Sequence, residues 1–235
     1  MNINLRPYQG ESLANVYAAW SAGKKNVALV LPTGAGKSVC VSSVVNAERG
    51  AVCVVAHRQE LVSQMSLHLA REGIRHRIIG AANTIKNCIQ LQMEEFGQTY
   101  IEQTAKVAVA GVDTIIRRGL ELKHWLPTVT LWVIDETHHL RAGNKWGKAV
   151  AMFTNPNVRG MGVTATPERT DGKGLGRWAD GVMDEMVVGV GMRELIDAGY
   201  LTDYRIFAPM SDVDLTRARI TASGDFNQKD ASEIV

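Results

Sequence analysis

A short apolar run at residues 27–31 leads directly into a turn with two glycines and then into a helical stretch at residues 39–48. The turn has the sequence Leu31-Pro-Thr-Gly-Ala-Gly-Lys-Ser38, in the strand-to-helix context of a phosphate-binding loop. Gly34 and Gly36 leave the backbone room to curl round a phosphate, and the amides at the helix start point into the turn. Lys37 can reach the β- and γ-phosphates of a nucleotide, and the Ser38 hydroxyl can bind Mg²⁺. We therefore predict an ATP or GTP site formed by Thr33, Gly34, Ala35, Gly36, Lys37 and Ser38.

Two adjacent carboxylates, Asp135 and Glu136, follow the apolar run at residues 131–134. In an open parallel sheet, ligands bind at the carboxyl ends of the strands, and the phosphate-binding turn lies at the same edge. Asp135 can hold Mg²⁺ there, directly or through water. Glu136 is suited to orient and deprotonate an attacking water. Alone, the pair could be a solvated strand end, but together with the turn it favours nucleotide hydrolysis.

Short apolar runs alternate with helical patterns along most of the chain. The runs predict strands over residues 27–31, 51–56, 106–110, 131–134 and 159–163, and one more over residues 204–208. This alternation predicts an α/β fold with a mainly parallel sheet covered by helices on both faces. A helix over residues 192–198 is expected to end at Gly199. Three further helices are expected to pack through Leu13, Val16, Tyr17 and Trp20; through Leu61, Val62, Met65 and Leu69; and through Ile85, Ile89, Met93 and Phe96.

Composition excludes several classes of protein. The formal net charge is +2, so any nucleic-acid binding must depend on a local patch. Three cysteines without a CxxC pair argue against a disulfide framework and a cysteine zinc site, and they favour a reducing cytosol. The polar N-terminus lacks the apolar core of a signal peptide, and no apolar stretch near it is long enough to span a bilayer. We therefore expect a cytoplasmic protein without a membrane segment.

The segment Asp135-Glu136-Thr137-His138 matches the DExH signature of superfamily 2 helicases. The chain resembles the group of that family that contains restriction-enzyme motor subunits and phage or bacterial DNA helicases. The family often replaces the first glycine of the phosphate loop, as Leu31 does here. The resemblance implies a RecA-like domain that uses ATP and Mg²⁺. It also implies catalytic roles for Lys37, Asp135 and Glu136, and metal binding by Ser38 and Asp135.

Further blocks of the family follow in the expected order. Gln9 closes a Leu-Arg-Pro-Tyr-Gln block that resembles the adenine-reading motif, which implies ATP in preference to GTP. Arg58 and Thr114 lie in two blocks that resemble the segments contacting the nucleic-acid backbone. Alone, Arg58 would be an ordinary solvated arginine. Asp113 departs from the family pattern, which commonly has glutamine or a similar residue there, and a carboxylate facing phosphates is unfavourable.

A Thr-Ala-Thr-Pro block at residues 164–167 resembles the motif that couples hydrolysis to movement along nucleic acid. The resemblance implies that Thr164 and Thr166 act through hydroxyl hydrogen bonds to the acidic motif, with His138 as a participant. Without the other blocks, the same segment would be a strand that ends in a turn.

The resemblance also implies a division of the chain. Residues 1–200 would form the first RecA-like motor domain, and residues 201–235 the linker and the start of a second domain that is absent. The 35 residues after residue 200 are too few for a domain of ordinary size. We therefore expect a fragment, or one part of a split motor, that binds nucleotide and hydrolyses it slowly. It should neither translocate nor unwind, and its nucleic-acid partner should be DNA more readily than RNA.

Two alternatives remain at this point. A nucleotide-dependent nucleic-acid-binding switch would use the same phosphate loop without significant hydrolysis, although such a switch has no need of Glu136. A small-molecule kinase would also share the loop, but it would leave Arg58 and the Thr-Ala-Thr-Pro block without a role.

Overall fold

The computed structural model describes residues 3–56, 58–169, 172–205, 207 and 219. Its strands are β1 (Asn26–Val30), β2 (Ala51–Ala56), β3 (Arg77–Ile79), β4 (Val107–Gly111), β5 (Val129–Asp135), β6 (Arg159–Thr164) and β7 (Glu185–Val188). Its helices are α1 (Pro7–Ser21), α2 (Lys37–Ala47), α3 (Gln59–Arg71), α4 (Ala82–Phe96), α5 (Val112–Arg117), α6 (Lys145–Ala151) and α7 (Met192–Asp197).

The seven strands form one parallel sheet in the order β3-β4-β2-β5-β6-β1-β7. The central strands are apolar and buried on both sides, as is typical of a sheet covered by helices on both faces. Along β2, for example, Val52 and Val54 pack into one core and Cys53 and Val55 into the other. The first core also contains residues of α1, α2, α3 and α7, and the second contains residues of α5 and α6. The predicted fold class is confirmed.

The first five predicted strands are present, with ends shifted by at most two residues, and the strand predicted over residues 204–208 lies partly outside the described residues. The sequence reading missed β3 and β7, which have three and four residues. Strand β7 is an edge strand with largely exposed side chains, so no apolar run marks it. The α1 prediction is confirmed, with Pro7 in the first helical position. Gly199 follows α7 with a φ of 73°, as expected for the residue that ends a helix.

The helix predicted near residues 85–96 exists as α4, but only part of its predicted core face packs inward, with Ile85 half-buried against the first core. Ile89 and Met93 are 37% and 47% exposed. The buried face instead carries Thr84, Cys88 and Gln92. Gln92 donates a hydrogen bond of 2.9 Å to the hydroxyl of Ser66 on α3, so a polar network decides which side of the helix packs inward.

Other predictions from the sequence concern the cysteines, a membrane segment, the domain boundary and the cellular location. The three cysteines are free thiols, in agreement with the absence of a disulfide framework. Among the described residues, no helix has the length and apolar character needed to cross a membrane. Most of residues 201–235 lies outside the described part of the chain, so the domain boundary at residue 200 stays a prediction. The cytoplasmic location also stays a prediction.

Candidate active site

The carboxyl ends of three neighbouring strands meet at one edge of the sheet, because β6 lies between β5 and β1. Strand β1 ends at the phosphate-binding turn, β5 ends at Asp135, and β6 ends at Thr164. The register pairs Val30 with Thr164 on one side and Asp135 with Val163 on the other. The fold therefore brings the phosphate turn, the acidic pair and the Thr-Ala-Thr-Pro block together.

The turn after β1 has the backbone form that its glycines allow. Gly34 and Gly36 have φ values of 82° and 79°, in the left-handed region that side-chain-bearing residues rarely adopt. Lys37 begins α2, and its ammonium donates hydrogen bonds to the carbonyls of Leu31 (3.2 Å) and Pro32 (3.3 Å). The ammonium group thus lies over the turn, at the position where a phosphate would bind. Ser38 is the next helical residue and is half-buried; Thr33 is exposed and Ala35 is buried.

Gln9 closes the turn from the side of α1. Its side-chain oxygen accepts a hydrogen bond from the Arg6 amide, and its side-chain nitrogen donates to the Ala35 carbonyl, both at 2.9 Å. The Tyr8 hydroxyl donates to the same carbonyl at 2.9 Å. Gln9 is only 3% exposed, and its two bonds hold the side-chain amide against the turn. After these two bonds the amide has one N–H and one oxygen lone pair left over.

A segment that the sequence reading did not assign to the site also lies beside the turn. The ring of Tyr200 packs edge-on against that of Tyr8, with centroids 5.2 Å apart, and the Arg6 guanidinium lies 5.1 Å from the Tyr200 ring. A Cβ atom on Gly34 would lie 2.9 Å from the side chain of Leu201. These contacts join residues far apart in the chain, and no local sequence pattern marks them.

The acidic pair has two different environments. One Asp135 oxygen accepts the Glu136 amide at 3.0 Å, and burial, followed by the charge of Glu136, raises the pKa of Asp135. The positive charge of Lys37 opposes that rise in the pKa of Asp135. Glu136 has a φ of 56°, an uncommon and strained value for glutamate. Its carboxylate lies 3.3 Å from Nδ1 of His138.

His138 connects the acidic pair to strand β6. The same Nδ1 lies 3.1 Å from the hydroxyl of Thr164, which is fully buried. The Thr164 hydroxyl also accepts a hydrogen bond of 3.2 Å from the Thr166 amide and lies 3.4 Å from the Thr166 hydroxyl. The structure therefore brings Glu136, His138, Thr164 and Thr166 into one continuous set of contacts.

The residues at this edge suit a magnesium nucleotide. A hydroxyl from Ser38 and a carboxylate from Asp135 are hard oxygen ligands, and Mg²⁺ in nucleotide sites takes one or two such groups together with phosphate and water. The described residues contain no cluster of three or more histidine, cysteine or acidic side chains that could hold a metal alone. A magnesium ion here would be held by Ser38 and Asp135 together with phosphate oxygens and water.

Arg58 and Thr114 lie together, on the part of the same edge formed by β2, β3 and β4. They line one cavity of about 110 Å³ with Asp113 and Arg117. Asp113 is held by Lys145, whose ammonium lies 3.2 and 3.3 Å from the two carboxylate oxygens. The sequence alone indicated that the carboxylate of Asp113 is unfavourable on this surface, and it did not identify the partner of that carboxylate. Only the packing of α5 against α6 brings the two together.

A larger cavity, of about 700 Å³, lies away from this chemistry. Lys24, Trp178 and Glu185 line it, at the amino ends of β1 and β7. It shares no residue with the phosphate turn or the acidic pair, so its size does not make it the candidate site. The site is assigned from the convergence of the functional groups.

Comparison with known proteins places these features in a family context. The family model described as "Type III restriction enzyme, res subunit" matches residues 2–169. The chain is 26% identical over 253 aligned residues to the putative ATP-dependent helicase IRC3 of Saccharomyces cerevisiae, covering 98% of the chain and 34% of that protein. It is 29% identical over 176 residues to the DNA 3'-5' translocase XPB2 of Sulfurisphaera tokodaii, covering 73% of the chain and 33% of that protein.

Among solved structures, the UvsW helicase from bacteriophage T4 superposes with a TM-score of 0.55 at 19% identity. The match covers 78% of the chain and 59% of the UvsW chain. At this identity the likeness concerns the fold alone. The chain spans about a third of the length of the curated relatives that it matches.

Proposed function

Because the chain belongs to the family of the type III restriction enzyme res subunit, we propose that it is the ATP-binding motor domain of a nucleic-acid-dependent ATPase. ATP hydrolysis by this domain would drive a DNA helicase or a double-stranded DNA translocase. The observation that carries the proposal is the contact of His138 with Glu136 at 3.3 Å and with Thr164 at 3.1 Å. A domain that only stored nucleotide would have no use for a carboxylate linked in this way to a second strand.

Residues of the phosphate turn and the acidic pair would bind the nucleotide. Lys37, whose ammonium bonds to the carbonyls of the turn, would contact the β- and γ-phosphates, and Ser38 and Asp135 would hold the magnesium ion. Bound Mg²⁺ would neutralise charge that develops on the phosphates. The unused N–H and lone pair of Gln9 are suited to the edge of an adenine, which favours ATP over GTP.

Glu136 would be the base that orients and deprotonates the attacking water. Its carboxylate lies 3.3 Å from Nδ1 of His138, and this contact limits the orientations open to the carboxylate. His138, Thr164 and Thr166 would connect the state of that carboxylate to strand β6. The role of these three residues would be to position Glu136, which His138 contacts directly.

The track would be DNA, bound along the surface that contains Arg58 and Thr114. One relative is named a DNA translocase, which favours DNA over RNA. Residues 1–200 would form the first RecA-like domain, and residues 201–235 the linker toward a second. The curated relatives are about two to three times as long as this chain, in agreement with a second domain elsewhere that supplies transition-state arginines. Alone, this chain would hydrolyse ATP slowly and would neither translocate nor unwind.

The test is ATP hydrolysis by this chain, with and without duplex and single-stranded DNA, at low salt. Low salt is needed because affinity that depends on few phosphate contacts falls steeply as salt rises. Glu136→Gln should abolish turnover and leave ATP binding in place. Glu94→Gln, an exposed carboxylate change on α4, is the matched control and should not alter the rate. Mg-ATP binding without any turnover, even when the rest of the motor is supplied, would instead indicate a nucleotide switch.

A further inference from the structure

The surface proposed to contact DNA contains one group of the wrong charge. Arg58 and Arg117 contribute positive charge to the 110 Å³ cavity, and Thr114 contributes a hydroxyl. Asp113, directly before Thr114, contributes a carboxylate to the same cavity and is exposed. A bare carboxylate at this point would repel a phosphate, because like charges at a few ångströms disfavour one another even near the protein surface.

Lys145 neutralises that carboxylate from a separate element. Its ammonium contacts both Asp113 oxygens, and the two side chains stay 42% and 56% exposed. An ion pair so exposed to water is weak, because hydration of the two charged groups competes with their contact. A phosphate oxygen could therefore compete with the carboxylate for the ammonium, which has three donors to share between both groups.

The start of helix α6 holds Lys145 in a defined place. Asn144 caps the helix, accepting hydrogen bonds from the amides of Trp146 (3.0 Å) and Gly147 (3.2 Å). The Asn144 side chain also donates a bond of 2.7 Å to the His139 carbonyl, just after the acidic motif. Lys145 is therefore attached to a fixed point of the fold, and only its side chain has to move to reach a ligand.

We propose that Lys145 is a phosphate-contacting residue of this surface, and that Asp113 holds its ammonium until a nucleic-acid phosphate takes the place of the carboxylate. The proposal rests on the proposed function, because it assigns a further contact to the same DNA-binding surface. It also gives Asp113 a role as a positioning residue that restrains Lys145 in the free protein. The competing explanation is that Lys145 does nothing except cancel the charge of Asp113.

Equilibrium binding of a labelled DNA duplex and a single strand, at several salt concentrations, separates these explanations. The full chain is compared with Asp113→Asn, Lys145→Gln and the double variant that carries both. If Lys145 contacts a phosphate, Asp113→Asn binds more tightly than the wild-type chain. Relative to Asp113→Asn, the double variant should bind roughly 3- to 10-fold more weakly, and its slope of log affinity against log salt should be smaller by about 0.7–0.9.

If Lys145 only neutralises Asp113, the double variant binds as Asp113→Asn does, and the proposal is overturned. Lys24→Gln is the matched control, because Lys24 forms an exposed ion pair with Glu185, 3.4 Å long, at the opposite edge of the sheet. An equal loss of affinity in Lys24→Gln would reduce the effect to net charge and would also overturn the proposal.

The same experiment separates this proposal from the proposed function. If Arg58→Gln weakens binding while the double variant matches Asp113→Asn, the DNA surface stands and only the role of Lys145 is lost. If the wild-type chain binds neither form of DNA at low salt, the DNA partner itself is wrong, and the proposal for Lys145 is wrong with it. A parallel titration with RNA of the same sequence would then show whether the partner had been misassigned.

Discussion

Gly36 is the position at which a single added methyl group tests how the nucleotide site is built. Its φ is 79°, and a Cβ atom there would collide with the side-chain nitrogen of Gln9. Gly36→Ala should therefore disturb the backbone of the phosphate turn and also displace the amide that braces it. These two effects have separate magnitudes, and a second glycine allows them to be measured separately.

The backbone effect is about 1–2 kcal/mol, the cost of a left-handed conformation for a residue with a Cβ. Displacing Gln9 breaks its bonds to the Arg6 amide and the Ala35 carbonyl, each 2.9 Å long. At about 0.5–1.5 kcal/mol per bond, that loss adds about 1–3 kcal/mol. Gly36→Ala should therefore lower the free energy of unfolding by about 2–5 kcal/mol.

Gly97→Ala is the matched control. Gly97 ends α4 with a φ of 68°, and nothing lies within 4 Å of the position that its Cβ would take. Its cost should be the backbone part alone, about 1–2 kcal/mol. Urea unfolding of both variants measures the difference, and titration with an ATP analogue should show weaker binding for Gly36→Ala only.

A comparison of the two glycine variants decides whether Gln9 contributes to the loss of stability. If Gly36→Ala and Gly97→Ala lose the same stability, then Gln9 is not held against the turn and the second effect does not exist. A further variant makes the test stricter. In a Gln9→Ala background the obstructing amide is gone, so Gly36→Ala should there cost only the backbone part.

Three further predictions concern the site and the fold that carries it. Thr164→Val removes the hydroxyl beside His138, so steady-state hydrolysis should fall roughly fivefold, from the lost hydrogen bond to His138 worth about 1 kcal/mol, with nucleotide affinity in titrations unchanged. Burial lowers the pKa of His76, so the unfolded chain binds more protons below about pH 6.5. Its contribution to stability is complete above that pH and declines as the pH falls toward the lower pKa of the folded state, and urea titrations should show a smaller decline for His76→Gln. Glu48→Gln should lower the free energy of unfolding in urea by about 1–3 kcal/mol, since the Glu48 carboxylate is largely buried and accepts a bond of 2.7 Å from Arg159.

The parts of the site that depend on short stretches of chain could be predicted from the sequence. The phosphate turn needs only a strand, two glycines and a helix start in succession, and the structure has all of these between β1 and α2. The acidic pair likewise needs only a strand end. Gln9 was assigned to the site by resemblance, but its bond to Ala35 spans 26 residues, and no local pattern determines such a contact.

The α4 helix shows why an apolar pattern can give the right element and misplace part of its buried face. Apolar residues recur on the side of Ile89 and Met93, and a sequence pattern alone assigns that side to the core. In the structure, Gln92 is fully buried, bonded to Ser66 and to the amide of Tyr100. Hydrogen-bond partners make a polar side chain suitable for burial, and the partners lie on other elements.

The link between Glu136 and β6 depends on the order of the strands and on their register, neither of which the pattern of residues contains. His138 and Thr164 are 26 residues apart and meet because β6 pairs with β5, with Asp135 opposite Val163. Successive side chains of a strand point to opposite faces, so a slip of one residue would turn Thr164 away from His138. The resemblance to a known family assigned a coupling role to both residues. The contact itself follows from the register of one pair of strands, which explains why the geometry of the site could not be derived from the sequence alone.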